Sequence, residues 1–210
     1  GVFFTKLELK GKSLFGVKII PARGAWIEIE TDVDKAIYVR IDRKRKFPIT
    51  SLLRAFGAET DSEIFDLFKD NELAKEYLEK SFAKDHAKTA EEAYVEIYRR
   101  LRDGDLATAD NAKEFCKSLF DTDRYDLQKV GRFRFNQRFN LPTTGKDSDR
   151  RTLNIEDLRL VVNHIINLNN TPNAVEDDID HLGSRRVRYV GELLQQKFRI
   201  GMAQIKRNMQ

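Results

Sequence analysis

The densest run of reactive side chains lies late in the chain. Asp177, Asp178, Asp180 and His181 are followed at once by Arg185, Arg186 and Arg188. Carboxylates beside an imidazole are the ligand types of a hard-metal or phosphodiesterase centre. The arginines argue for a different outcome, a turn in which they neutralise the carboxylates directly, and that reading is preferred. A second group is cationic. Arg40 and Asp42 lead into Arg43-Lys44-Arg45-Lys46 at the end of an alternating segment. Such a run is either a solvated strand end or a phosphate-contacting patch, because each cation near a phosphate can release a condensed counterion. Trp26, the only tryptophan, shares a strand face with Glu28 and Glu30. It reads as a cover for the sheet edge or as a stacking platform, and base-on-aromatic stacking is worth roughly 1–3 kcal/mol per base. Arg132, Arg134 and Arg138 alternate with Phe133, Phe135 and Phe139, which we read as a phenylalanine core side with a basic outer face. Cys116 sits in an apolar stripe with Phe115 and Leu119 and reads as a small buried residue, not a nucleophile. His86 and His164 have no partner set in sequence. The chain has no G-x-x-x-x-G-K-[ST] loop, no C-x-x-C pair and no H-E-x-x-H. No residue is assigned a catalytic or metal-binding role.

The elements that must position these groups fall in two parts. Leu14 to Ile20 is apolar and β-branched. Ile27 and Ile29, then Ile37, Val39 and Ile41, alternate with polar residues on either side of a turn at Thr31 to Asp34. Period-two alternation flanking a short turn predicts an antiparallel hairpin with one buried face. From Pro48 the pattern is helical. Thr60-Asp61-Ser62-Glu63 and Thr89-Ala90-Glu91-Glu92 are capping boxes ahead of apolar stripes, and Asn154 can cap a helix burying Leu158, Val161, Val162, Ile165 and Ile166. Residues 142–149 and 169–173 read as loops. A last helix places Val190, Leu193, Leu194, Phe198, Met202, Ile205 and Met209 on one face. The expected class is α+β: a small antiparallel sheet near the N-terminus packed with several helices, ending in a long amphipathic helix.

Of the 210 residues, 38 are Lys or Arg and 34 are Asp or Glu, so the net charge of +4 is too small to argue for nucleic-acid binding without local clustering. A single cysteine forbids an internal disulfide and fits a reducing compartment. No apolar run has the length of a membrane span. The chain starts at Gly1 and stops within a helical pattern, so we expect a segment of a larger protein.

Three stretches carry a family resemblance. Asp177 to Phe198, Lys18 to Trp26 with Tyr38 to Pro48, and Arg124-Tyr125-Asp126-Leu127 with Val130-Gly131-Arg132 are similar, in the same order, to blocks of the bacterial RNA polymerase β subunit. The resemblance implies that residues 1–178 form the lobe domain and 179–210 begin the segment returning toward the fork and protrusion. It implies a wall of the downstream DNA channel that contacts DNA and captures unpaired non-template bases. Trp26 would stack on such a base. Arg40, Asp42, Arg43, Lys44 and Arg45 would line the strand, with Lys44 where the family has Arg, which keeps a point charge and loses the planar fork. Asp180 and Arg185, with Arg186 beside them, would belong to a guanine pocket, since a carboxylate accepts from the guanine edge that donates. The implied partners are DNA, the β′ and α subunits and a sigma factor, with no membrane. The implied cofactor is magnesium, held by another subunit and not by this segment, which alone should be inactive. The setting would be the bacterial cytoplasm at the nucleoid, or a plastid. The rival readings are a free-standing nucleic-acid-binding module, a metal-dependent phosphodiesterase using Asp177, Asp178, Asp180 and His181, and a purely structural scaffold.

Overall fold

In the computed structural model, residues 1–102, 104–185 and 187–209 are described. They form two compact units, Gly1–Asp177 and Asp178–Gln210.

The first unit is built on a five-stranded antiparallel sheet in sequential order. Strands β1 (Val2–Leu9) and β2 (Lys12–Ile19) are joined by Lys10 and Gly11, both left-handed at φ 49° and 74°. That is the backbone a two-residue hairpin turn demands, because its twist matches the flanking strands. β3 (Ile27–Thr31) pairs with β4 (Ile37–Ile41) in the register Ile29↔Val39. Both strands alternate buried and half-buried positions, as the sequence pattern predicts. A two-residue strand, β5 (Phe47–Pro48), closes the sheet. β1 and β5 were not anticipated: β1 alternates weakly, and β5 is too short to show a period.

Eight α-helices follow among the described residues. They are α1 (Ile49–Ala55), α2 (Asp61–Leu67), α3 (Ala74–Lys84), α4 (Ala90–Leu101), α5 (Ala109–Leu119), α6 (Gln128–Arg138), α7 (Ile155–Asn170) and α8 (Val190–Met209). Thr60, Thr89 and Asn154 each form a capping box, satisfying amide donors that would otherwise be orphaned. α7 packs on β2, and α1 and α3 pack on β4. The apolar face of the sheet (Ile27, Ile29, Ile37, Val39 and Ile41) and the α7 stripe of Leu158, Val161, Val162, Ile165 and Ile166 share one core and are fully buried. Burying each such side chain contributes about 1.5–3 kcal/mol.

The structure alters two sequence expectations. Asn169 and Asn170 belong to α7 and not to a loop, because their side chains are used as fasteners. Asn169 Oδ1 accepts from Phe15 N at 2.7 Å while its Nδ2 donates to Thr31 Oγ1 at 3.0 Å. In α6 the alternation of Arg and Phe does not separate core from surface, because a helix repeats every 3.6 residues. Phe135 is buried, Phe133 is exposed, and Arg132 is fully buried. Arg132 meets both carboxylate oxygens of Asp157 at 2.9 and 2.8 Å and also donates to the carbonyls of Arg150 and Thr152.

In the second unit, a turn from Asp178 leads into α8, whose Leu194, Phe198, Met202, Ile205 and Met209 are exposed. No helix among the described residues is long and apolar enough to cross a membrane.

Candidate nucleic-acid interface

Trp26 immediately precedes β3 and is half-buried on the side opposite Ile27. Its backbone is tied twice to one residue. Trp26 N donates to Asp42 Oδ1 at 2.8 Å, and Asp42 N donates to Trp26 O at 2.9 Å. Asp42 and Arg43 form the middle of a tight turn after β4, closed by Lys44 N donating to Ile41 O at 3.0 Å. Both central residues are left-handed, at φ 49° and 58°. Asp tolerates that region better than Arg does. The turn points Arg43 back at the tryptophan, with its guanidinium carbon 5.0 Å from the indole centroid, within cation–π range.

The rest of the basic run divides by what each side chain touches. Lys46 lies 4.3 Å above the Tyr38 ring and 3.7 Å from Asp32. Arg40 faces Glu28 across the strand pair and lies 3.5 Å from Glu30, an ion pair without hydrogen-bond geometry. Lys44 and Arg45 are exposed and, among the described residues, have no ion-pair or hydrogen-bonding side-chain partner. The turn therefore presents two free cations, Lys44 and Arg45, beside a half-exposed indole capped by a third.

The loop that delivers Trp26 is clamped from far along the chain. Ala22 N donates to Asp126 O at 2.9 Å, Asp126 N donates to Arg23 O at 2.8 Å, and Arg23 Nη2 donates to Thr122 O at 3.1 Å. Asp126 is itself held by Arg151 through two bonds of 2.9 and 2.6 Å. Gly24 has φ +117°, and a Cβ there would come within 2.8 Å of Arg124 O. Two of the sequence blocks, Lys18 to Trp26 and Arg124 to Leu127, are thus one physical assembly. Sequence reasoning missed Asp126, Arg151 and Gly24 as supports, because nothing local signals a contact between loops this far apart.

The late acidic-to-basic run separates into two. Asp177 belongs to the first unit: its carboxylate takes Phe4 N and Arg138, each at 2.8 Å. In the second unit, Asp178 Oδ1 accepts from the amides of Asp180 and His181, and His181 Nδ1 accepts from Gly183 N at 3.0 Å. Arg185 reaches Asp180 at 3.1 Å, the ion-paired turn that the charge order suggests. Both side chains remain open, at 62% and 89% exposure. Arg186 lies outside the described residues. Among the described residues no three His, Cys, Asp or Glu side chains converge as a metal site. Cys116 is buried, and burial pushes its thiol up to about 12, consistent with a packing role.

Comparison with known proteins identifies the family. Residues 4–188 match the family described as RNA polymerase Rpb2, domain 2. The chain is 42% identical over 213 residues to the DNA-directed RNA polymerase subunit beta of Dehalococcoides mccartyi, covering 99% of this chain and 17% of that protein. It is 42% identical over 211 residues to the subunit of the same name from Syntrophomonas wolfei, covering 99% of this chain and 18% of that protein. The chain therefore spans under a fifth of the length of these relatives. Matched by the family model from residue 4 to residue 188, and 42% identical to these β subunits over nearly its whole length, the chain belongs to the RNA polymerase Rpb2 domain 2 family.

Proposed function

We propose that this chain is the lobe part of a bacterial-type DNA-directed RNA polymerase β subunit, serving transcription as a wall of the downstream DNA channel. Residues 1–178 act as the lobe, and 179–210 begin the return toward the fork and protrusion. The observation that carries the reading is the turn at Asp42 to Arg45. It is fastened to Trp26 and presents the unpaired cations Lys44 and Arg45 beside a half-exposed indole. A flat aromatic stacks on any base, and cations hold the backbone without reading sequence. Asp180, open to solvent apart from Arg185, supplies a carboxylate acceptor for a guanine edge, with Arg185 beside it; Arg186, the next residue in sequence, is assigned to the same pocket by the family resemblance alone. Arg40, drawn to Glu30, contributes to the local field more than to direct contact.

Phosphodiester synthesis and its magnesium belong to other parts of the enzyme, so this segment binds and positions DNA and has no chemical step of its own. The exposed apolar stripe of α8 is to be covered by polymerase parts outside the chain. Trp26→Ala in the whole polymerase tests the central claim. Open promoter complexes should weaken while nucleotide addition on a preformed bubble stays nearly intact. Equal loss in both assays would reduce Trp26 to a folding role.

A further inference from the structure

The indole proposed as a base platform is not bare. Arg43 already sits over one face of it, 5.0 Å from the ring centre, from a backbone conformation that an arginine seldom adopts. Because Asp42 holds both the N–H and the C=O of Trp26, ring and turn cannot drift apart while the side chains rearrange. Arg43 is the only cation of the run placed on this ring. Lys46 is spent on Tyr38, and Lys44 and Arg45 stand free.

We propose that Arg43 is the resident ligand of Trp26: it caps the indole in the unbound chain, and an incoming base displaces it. The displaced guanidinium then stands beside Lys44 and Arg45 and meets the phosphate next to the stacked base. One residue thereby opposes stacking before binding and contributes a backbone contact after it. This rests on the reading of Trp26 as a stacking platform. Base capture would accordingly couple stacking to charge, so a stretch of neutral aromatic ligand would compete less well with the cap than a nucleotide strand does.

The test uses the 210-residue chain, in which Trp26 is the sole tryptophan fluorophore. The probe is a short oligothymidylate single strand with a fluorescent end label, titrated over a range of salt and followed by anisotropy, so that affinity is read in the chain lacking Trp26 as well. Arg43→Asn removes the guanidinium and keeps a residue at ease in the left-handed region. Arg43→Lys keeps the charge without the planar group. In the free Arg43→Asn chain, acrylamide should quench Trp26 more efficiently. Affinity extrapolated to about 1 M salt, where counterion release vanishes, should rise by about two- to fivefold, the factor an exposed cation–π pair represents. The salt slope should become shallower by about 0.7, one single-strand phosphate contact. Arg43→Lys should raise high-salt affinity while keeping the wild-type slope. Unchanged acrylamide access, or a fall in affinity extrapolated to high salt, would overturn the cap. Trp26→Ala identifies failure of the underlying platform: if high-salt affinity does not change on removing the indole, there is no stacking to oppose, and the cap falls with it.

Discussion

Replacing Asp42 separates two roles that its position allows, contact with a base and support of Trp26. Its Oδ1 accepts the Trp26 amide at 2.8 Å, and the residue itself is left-handed at φ 49°. An intramolecular hydrogen bond of this kind contributes about 0.5–1.5 kcal/mol net, so its loss should speed exchange of the Trp26 amide by about two- to thirteenfold. Alanine adds the left-handed penalty of roughly 1–2 kcal/mol, which aspartate relieves through its own local bonding. Together, Asp42→Ala should loosen the turn by about 1.5–3.5 kcal/mol. Asp42→Asn keeps an acceptor oxygen and a residue tolerant of the left-handed region, and should remain close to wild type. Hydrogen exchange at the Trp26 amide, followed by NMR, measures both. Asparagine behaving like alanine would refute the reasoning, because only the charge would then matter. Unchanged exchange in Asp42→Ala would refute it equally.

Asp157 sits fully buried between Arg132 and Arg150, so Asp157→Ala should cost about 3–5 kcal/mol in a denaturant melt by stranding the Arg132 guanidinium. Pairing Asp157→Leu with Arg132→Met should recover much of that loss. His164 packs 4.5 Å from the Phe4 ring, and burial, aided by Arg138 and opposed by Asp177, lowers its affinity for a proton. The unfolded chain therefore binds that proton first. The contribution is fully present above about pH 6.5 and is lost as pH falls from there toward the folded value. His164→Phe should flatten that part of the stability–pH curve relative to wild type. With its thiol pushed up to about 12, Cys116 should resist iodoacetamide at pH near 8 until the chain is unfolded. Fast labelling of the native chain would contradict its placement in the core.

What could be read from sequence follows the range of the forces involved. Helix starts were legible at Thr60, Thr89 and Asn154, because a cap and its partner lie three residues apart. The β3–β4 hairpin was legible because both strands alternate around one turn. α6 was misread because Arg132 is polar in type and central in position. Its partner Asp157 is 25 residues away, and no local pattern announces a buried ion pair. The site divided in the same way. Trp26 and the cations were visible as residue types, but the reciprocal Trp26–Asp42 bonds and the Arg43 cap depend on a backbone turn that the sequence does not advertise with glycine or asparagine.

The clamp of the Ala22–Arg23 backbone by Asp126 also sets a timetable for synthesis. Within this chain the sheet leaves the ribosome before the helices, yet the loop that delivers Trp26 waits for a partner from far downstream. At about 5–20 residues per second, roughly a hundred intervening residues take about 5–20 s to appear. The α7 stripe that covers β2 arrives later still, since Phe15 bonds to Asn169. Until α7 appears, Val17 and Ile19 of β2 lack that cover, although α1 and α3 can already pack on β4. The nascent hairpin is then a ready substrate for ribosome-associated chaperones, and slowing translation between residues 48 and 126 should lengthen its exposure to aggregation.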